Sequence, residues 1–376
     1  MSEAFDQTAA ALCAFLARRS ETVAAAALEA VGANGASALT DSAADRRFLR
    51  ALSIDLTGRT PLPDEYQAAL GKPRSEVVRA LAASHPAWEG FYEEELFYFL
   101  LVDNFRPATD AFVAMPELLA SGGLSVREAL RQIVASQFFN ARNPGNDTFV
   151  TVVLEQLLGL TVQKETATLE AGKRMYDGYA ANLLGKNGSS QSDLVRIVVE
   201  NDGFEPFFLE RRFTAIFGDA PPKKRLAADA ARLRADPLAW PSIVSSWIAS
   251  QAYEELLRKP RPKSDRVFVR SLFADLFGRV PDYQEFRRCR NALLALSDSR
   301  PLRSVLIKMM LDAGTVKIGD DAARYASDFV AGRFLHFLAR PPTPEESQAF
   351  VHELDSGAKP SLVLRAILTH AEYQSY

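Results

Sequence analysis

Cysteine is scarce in this sequence of 376 residues, which contains only Cys13 and Cys289. Two thiols are too few for a disulfide framework, and they cannot form a four-thiolate metal site. We expect both thiols to be free and to pack as small apolar side chains.

Histidine is almost as scarce, and none of the four histidines has the spacing of a metal-binding motif. No Gly-x-Ser-x-Gly nucleophile motif is present. The stretches GANGAS (32–37) and GKNGSS (185–190) lack the pattern of nucleotide-binding loops, and both are predicted to be plain loops. The sequence therefore predicts no catalytic residue, no cofactor and no metal, and we expect a protein that is not an enzyme. The histidines are His85, His336, His352 and His370.

Long apolar runs are also missing, since no stretch approaches the ~20 apolar residues that a membrane-spanning helix needs. Acidic residues precede the first apolar stretch and Arg18-Arg19 follows it, which is the reverse of the charge order in a signal peptide. We expect a cytoplasmic protein without a membrane span, or an exported one if a leader has been removed.

Positive charge is not in excess either. The net charge is -3, which argues against a general nucleic-acid binder but is compatible with a local basic patch. Hydrophobic residues make up 48% of the chain, enough for a sizeable core. The oligomeric state is open.

An internal repeat is what the sequence does contain. A Phe precedes a Gly by ten positions in four places, and a fifth place has Ala339 instead of the Gly. The last four anchors are separated by 59, 60 and 61 residues, as expected for repeated structural units. The anchors are Gly58, Gly159, Gly218, Gly278 and Ala339.

Each unit has the pattern of three helices. Apolar residues before the anchor fall on one face of a first helix. The Gly suits the left-handed residue that ends a helix, and a Pro follows where the helix cannot continue. An acidic stretch then starts a second helix, and a third ends at a small polar residue followed by an aromatic one. The prolines are Pro61, Pro281 and Pro342.

We predict an all-α fold, with an Ala-rich helix near residues 2–31 before a tandem array of about six units of roughly sixty residues, one degenerate. The predicted divisions are 1–40 for the N-terminal helix and linker, 41–90 for the first unit, 91–145 for the degenerate unit, then 146–206, 207–262, 263–320 and 321–376.

Arg59, Arg279 and Arg340 follow three of the anchors. We predict that they stabilise the joint between two helices by bonding terminal carbonyls or an acid one turn back, such as Asp55 or Asp275. The alternative is that they contact a ligand.

Several stretches resemble bacterial helical repeats of unknown function with a Leu-Gly-Arg-x-Pro hallmark. DRRFLRALSIDLTGRTPLPDEYQAAL (45–70) is similar to the start of a domain associated with planctomycete cytochromes, and LFGRVPDYQEF (276–286) and FLARPPTPEE (337–346) carry the same hallmark. Phycobilisome linker domains share a related one. The resemblance implies a linker or a surface-associated protein. The family's haem motif has no counterpart in residues 157–178, which contain no Cys and no His.

We predict a non-enzymatic scaffold or adaptor that binds protein partners of unknown identity. Two alternatives are open: a haem-less relative of a cytochrome-associated protein with a redox or enzymatic accessory role, and a nucleic-acid-associated protein that uses a local basic stripe. The candidate partner contacts are the basic residues Lys223, Lys224, Arg225, Arg258, Lys263 and Arg266 and the aromatic residues Tyr92 and Tyr98.

Overall fold

The computed structural model describes residues 38–101, 109–318 and 325–376. It is 68% helical, with twenty α-helices and one two-stranded sheet in these ranges. The predicted all-α class is therefore confirmed. Cys13 and the Ala-rich helix predicted near residues 2–31 lie outside the described residues.

None of the described helices is long and apolar enough to cross a membrane. In chain order the elements are α1 Ala43–Thr57, α2 Pro63–Ala69, α3 Arg74–Ala82, α4 His85–Leu100, α5 Asp110–Ala120, α6 Val126–Val134, α7 Gln137–Arg142, α8 Asn146–Leu158, a 3-10 turn Val162–Lys164, α9 Thr166–Tyr176, β1 Ala181–Leu183, β2 Lys186–Gly188, α10 Gln191–Val199, α11 Phe204–Phe217, α12 Lys223–Ala235, α13 Trp240–Ile248, α14 Gln251–Leu256, α15 Asp265–Phe277, α16 Tyr283–Leu293, α17 Arg300–Asp312, α18 Ala326–Leu338, α19 Pro344–Asp355 and α20 Pro360–Thr369.

The chain forms two compact units. The first unit combines the described residues up to Val78 with Ile248–Tyr376, so it is discontinuous in sequence. The second unit is Arg79–Trp247. Three segments of three helices, α1–α3, α15–α17 and α18–α20, account for most of the first unit.

The first helices of these segments share a stop signal, and α1 and α15 also have a serine that caps their start. The hydroxyl of Ser42, for example, accepts a hydrogen bond from the backbone amide of Asp45 at the start of α1. The three helices end at Gly58, Gly278 and Ala339, whose φ angles are 71°, 62° and 53°. Glycine adopts this left-handed conformation without steric cost, whereas Ala339 carries a Cβ into it.

The core of the first unit is built from the inward faces of α15 to α20. Phe268, Leu272, Phe334, Phe350 and Ile367 are fully buried. The rings of Phe334 and Phe350 pack edge to face with their centroids 5.4 Å apart. Each such side chain contributes about 1.5–3 kcal/mol by its burial, so the core dominates the stability of this unit.

The second unit has an aromatic core that contains all three tryptophans of the chain. Trp88 packs on Phe91 with the ring centroids 5.4 Å apart, and Trp240 packs on Phe208 at 5.2 Å and on Trp247 at 5.5 Å. These contacts are edge to face, the arrangement that aromatic quadrupoles favour.

The second unit also contains a short hairpin that corrects the loop predicted for residues 185–190. Strands β1 and β2 pair through Ala181 with Gly188 and Leu183 with Lys186. Between them, Leu184 and Gly185 both have positive φ, at 51° and 82°. A two-residue turn with this backbone matches the twist of antiparallel strands, which explains why the stretch is paired.

The predicted division into units stays a prediction, and three of its boundaries can be located on the described helices. Residue 146, where one unit is predicted to begin, is the first residue of α8. The predicted boundaries after residues 90 and 206 fall inside α4 and α11. The number of six units stays a prediction.

Candidate functional site

The glycines predicted to end helices all follow a helix directly. Gly159 has a second constraint, because a Cβ there would lie 2.5 Å from the ring of Phe207. The prolines of the hallmark lie in the extended connections between two helices. Gly58, Gly159, Gly218 and Gly278 have φ angles of 71°, 66°, 80° and 62°, and the prolines are Pro61, Pro281 and Pro342.

The arginine after Gly58 closes the joint between α1 and α2. Both terminal nitrogens of Arg59 donate to the carboxylate of Glu65, each at 2.6 Å. Its Nη1 also donates to the carbonyl of Thr60 at 3.1 Å. The same carboxylate accepts the backbone N–H of Leu62, the N-cap residue of α2, at 2.8 Å. One bidentate pair thus ties the end of one helix to the start of the next.

This arginine–glutamate clasp occurs in all three three-helix segments of the first unit. The two bonds measure 2.7 and 2.7 Å for Arg279 with Glu285, and 2.7 and 2.9 Å for Arg340 with Glu346. The partner is therefore an acid six residues ahead, and the expectation of an acid one turn back was wrong.

The two aspartates that were expected to bind these arginines have other roles. The buried carboxylate of Asp275 accepts two bonds from Arg50, both at 3.0 Å, one from Tyr373 at 2.9 Å and one from Thr60 at 3.0 Å. Burial alone would raise the pKa of Asp275, but the charge and hydrogen bonds of Arg50 lower it below its usual value.

Asp55 is the centre of a second hydrogen-bond network of the same kind. It accepts two bonds from Arg261, at 2.8 and 2.7 Å, one from Tyr253 at 2.7 Å and one from Tyr376 at 3.0 Å. Tyr253 and Tyr373 are the aromatic residues of the unit-end pattern. The two aspartates therefore join the first helix of a segment to aromatic residues that are distant in sequence.

In the third segment His336 lies three residues before the anchor, where the other two segments have these aspartates. Its Nε2 lies 3.2 Å from the backbone carbonyl oxygen of Asp275. Burial lowers the pKa of His336, the charge of Asp275 opposes this change, and the nearby Arg50 adds to it. The ring is thus held as a neutral hydrogen-bonding group.

A cleft in the first unit lies beside the hydrogen-bond networks of Asp275 and Asp55. It encloses about 820 Å³ of empty space, part of it open to solvent. We call it the cationic cleft, because five of its residues are basic and one is acidic. Its lining is Arg47, Arg50, Ala51, Leu257, Arg258, Lys259, Pro260, Phe337, Leu338, Ala339, Arg340, Glu372, Ser375 and Tyr376.

Two of the five cations are paired with carboxylates of the protein. Arg50 is bound by Asp275, and Arg340 is bound by both Glu346 and Glu372. The cleft therefore retains positive charge only if the other cations lack such partners.

The side chains of Arg47, Arg258 and Lys259 make no hydrogen bond and no ion pair with any part of the chain that the structure describes. Arg258 and Lys259 are exposed, whereas Arg47 is partly buried. Burial lowers the pKa of Arg47, with Glu372 opposing this change and Arg340 adding to it. A cation in this position gains from an external anion, since its charge is poorly compensated by the protein.

Two of the predicted partner contacts are buried, which corrects those predictions. Lys263 is 3% exposed, and its ammonium donates to the carbonyl of Tyr373 at 2.6 Å. Burial lowers the pKa of Lys263 well below its ordinary value. Tyr92 is 4% exposed and belongs to the core of the second unit. Neither side chain is accessible to a partner.

The other predicted contacts are distributed over both units. Tyr98 is partly buried, and the guanidinium of Arg211 covers its ring at 4.0 Å from the centroid. Arg266 is also partly buried. The basic run Lys223-Lys224-Arg225 forms the first turn of α12 in the second unit. Of the basic residues predicted, Arg258 is the one that lies in the cationic cleft.

Sequence reasoning missed Arg47 and Lys259 as members of the cleft. Lys259 directly follows the predicted contact Arg258. No pattern pointed to Arg47, because it reaches the cleft from a helix more than 200 residues earlier in the chain.

The described part of the chain contains no group of three or more His, Cys, Asp and Glu side chains that could hold a metal ion. Cys289 is buried, and burial together with the charge of Glu285 raises the pKa of its thiol to about 11. Comparison with protein-family models, with curated proteins and with solved structures gives no match to this chain.

Proposed function

We propose that this protein is a non-enzymatic helical adaptor that binds a protein partner through the cationic cleft of its first unit. The observation that carries the proposal is the group of three cations, Arg47, Arg258 and Lys259, that have no hydrogen bond or ion pair with the described chain yet line one cleft. Cations that are not bonded to a carboxylate and lie next to apolar walls are typical of a surface that meets an acidic partner.

The surroundings of these cations support a binding role because they are held in place. Arg47 lies on α1 one turn before Arg50, which is fixed by Asp275. Arg258 lies between Tyr253 and Arg261, which both bind Asp55. A preformed site loses less entropy when it binds a partner, so the bonds to Asp275 and Asp55 favour binding in the cleft.

The experiment is affinity capture from a lysate of the native organism with two matched charge-reversal variants. The cleft variant carries Arg258→Glu and Lys259→Glu. The control carries Lys72→Glu and Arg288→Glu, which change two exposed cations of the first unit outside the cleft by the same charge. We expect wild type and control to retain the same proteins, and the cleft variant to lose them.

Capture that is equal for all three proteins would contradict the proposal. Two other results would support the alternatives instead. Retention that disappears after nuclease treatment would indicate the nucleic-acid-associated protein, with Lys223 and Lys224 as its exposed cations. A haem absorbance band or stoichiometric iron in the purified protein would indicate the redox relative.

A further inference from the structure

We infer that the cationic cleft takes a short acidic peptide segment with a large apolar side chain beside its carboxylates. This inference rests on the proposed adaptor function and specifies the chemistry of the partner.

The charge of the cleft calls for about two carboxylates. The five lining cations are matched by three bound carboxylates, those of Asp275, Glu346 and Glu372, which leaves a net of two positive charges. Arg258 and Lys259 are neighbours in sequence, and Arg47 lies on α1. An acidic segment can therefore place its carboxylates at separate points of the lining.

The apolar walls of the cleft are complementary to an apolar group of the ligand, placed between its charges. Leu257, Leu338 and Ala51 line it together with Pro260. A small inorganic anion would pair with the cations and leave these walls exposed to water. A peptide with a large apolar side chain would cover them, and the removal of that surface from water favours binding.

A nucleic acid fits the cleft less well than a peptide. Binding of single strands relies on aromatic rings whose faces are open to stack on bases. The cleft has two aromatic rings. Phe337 is 2% exposed, and the ring of Tyr376 is covered by the guanidinium of Arg261 at 4.2 Å from its centroid. The ring of Phe337 is therefore inaccessible, and one face of the Tyr376 ring is already occupied.

The shape of the cleft favours a short segment. Its space is partly open to solvent and is lined by residues of α1, of the turn that follows α14 and of the end of α18. An extended segment can enter such an opening, whereas a folded domain would have to rest on the rim.

The test is an array of fluorescent octamer peptides that each contain one Leu, Phe, Tyr or Trp flanked by Glu or Asp. Every peptide has two matched controls, one with Gln and Asn in place of the acids and one with Ser in place of the apolar residue. Binding to the full chain is measured by fluorescence anisotropy at two salt concentrations, with a dT12 oligonucleotide and inorganic phosphate as competitors.

We expect at least one acidic peptide to bind at least tenfold more tightly than both of its controls. Its affinity should fall at least tenfold in the variant with Arg258→Glu and Lys259→Glu, and also in Arg47→Gln, while the Lys72→Glu, Arg288→Glu control keeps the wild-type value. Each variant should melt at the wild-type temperature, because the residues changed are exposed or lack partners within the described chain.

The inference is overturned if no acidic peptide binds, if the amide peptides bind equally, or if the oligonucleotide or phosphate displaces the peptide at lower concentration than unlabelled peptide does. If these results occur while protein capture still depends on Arg258 and Lys259, the adaptor function stands and only the acidic-segment chemistry is wrong. If capture is also independent of them, both fail.

Discussion

Three side chains donate to the carboxylate of Asp275, and one of them is the charged guanidinium of Arg50. The side chains of Asp275 and Arg50 are only 1% and 12% exposed. Removal of one member of a buried ion pair leaves the other charge uncompensated, which costs far more than the pair itself contributes. At the scale of single residues, such buried charges determine which substitutions the chain tolerates.

Asp275→Asn should lower the free energy of unfolding by about 3–5 kcal/mol at pH 7, because Arg50 would keep its charge in a buried site without a carboxylate. Urea unfolding followed by far-UV circular dichroism measures the change. Asp298→Asn is the control, since Asp298 and its partner Arg300 are 52% and 79% exposed, and it should leave the midpoint unchanged. Equal midpoints for the two variants would show that Asp275 is dispensable.

The imidazole of His336 should make the first unit sensitive to mild acid. Its pKa is lowered in the folded state from the ordinary 6.5, so the unfolded chain takes up the proton first. Stability from this residue is therefore present above about pH 6.5 and declines as the pH falls through the folded pKa. The pKa of Asp275 is also lowered, so its own contribution declines only below about 3.8.

His336→Gln keeps a hydrogen-bonding side chain that does not titrate. We expect the loss of unfolding free energy between pH 7.5 and pH 5.5 to be smaller in this variant than in wild type, with equal values for the two proteins at pH 7.5 within about 1 kcal/mol. Denaturant titrations at the two pH values measure it. An unchanged pH dependence would mean that the proton is taken up elsewhere.

At the scale of helices, the predicted glycines lie where the described helices end, and the sequence did not predict which side chains bridge the joints. Gly58 and Gly278 could be placed because few residues tolerate a left-handed backbone, and that preference is local. The acids at positions 65 and 285, Glu65 and Glu285, were predicted only to favour the start of a helix. Each binds an arginine six residues earlier, across a turn of the chain, and this contact cannot be predicted from the spacing of residues within one helix.

The three clasps share the same bidentate bond but differ in solvent exposure. A comparison between them therefore shows how much burial adds to the stability that the bond provides. The arginine side chain is 6% exposed in the clasp of Arg59 and 49% exposed in that of Arg279. Arg59→Ala should therefore cost about 2–3 kcal/mol, because Glu65 and nearby carbonyls lose their donor in a largely buried site. Arg279→Ala should cost less than about 1 kcal/mol, as for other exposed pairs.

Chemical denaturation of both single variants, and of each one combined with substitution of its glutamate by Ala, measures these costs as two double-mutant cycles. The coupling energy should be larger for Arg59 with Glu65 than for Arg279 with Glu285. A reversed order would show that exposure does not set the strength of the clasp. If Arg59→Ala instead left stability intact and abolished partner capture, the arginine would be a ligand contact.

At the scale of the whole molecule, the successive units along the chain stay a prediction, and the described residues group into two compact units. Periodicity identified the three-helix segments because each has its own stop signals. It could not show that α1 pairs with helices more than 200 residues later, as Arg50 does with Asp275. The cationic cleft was missed for the same reason, since its cations meet only after this pairing. The buried Lys263 looked like any other basic residue of a surface cluster.

Tryptophan fluorescence reports on the second unit alone, because Trp88, Trp240 and Trp247 all belong to it. Far-UV circular dichroism reports on the helices of both units. We expect Asp275→Asn to lower the urea midpoint seen by circular dichroism and to leave the midpoint of tryptophan fluorescence unchanged. The converse variant is Asp229→Ala, which removes the carboxylate that accepts the Trp247 indole N–H at 2.8 Å. We expect it to lower the free energy of unfolding by about 1 kcal/mol, and thus to lower the urea midpoint of tryptophan fluorescence. Parallel shifts of both signals in both variants would show that the two units unfold together.

The discontinuity of the first unit has a consequence for the order in which the chain is made. The backbone N–H of Thr60, just after α1, donates to the hydroxyl of Ser271, and 211 positions separate the two residues. A ribosome that adds about 5–20 residues per second needs roughly 10–40 s to bridge that interval. During this time α1, with the buried residues Phe48, Leu49 and Leu52, has been synthesised, whereas α15 to α20 of the same unit have not. The whole of the second unit is synthesised in the same interval. Although α1 is translated before the second unit, the unit to which α1 belongs can therefore be completed only after the second unit has been made.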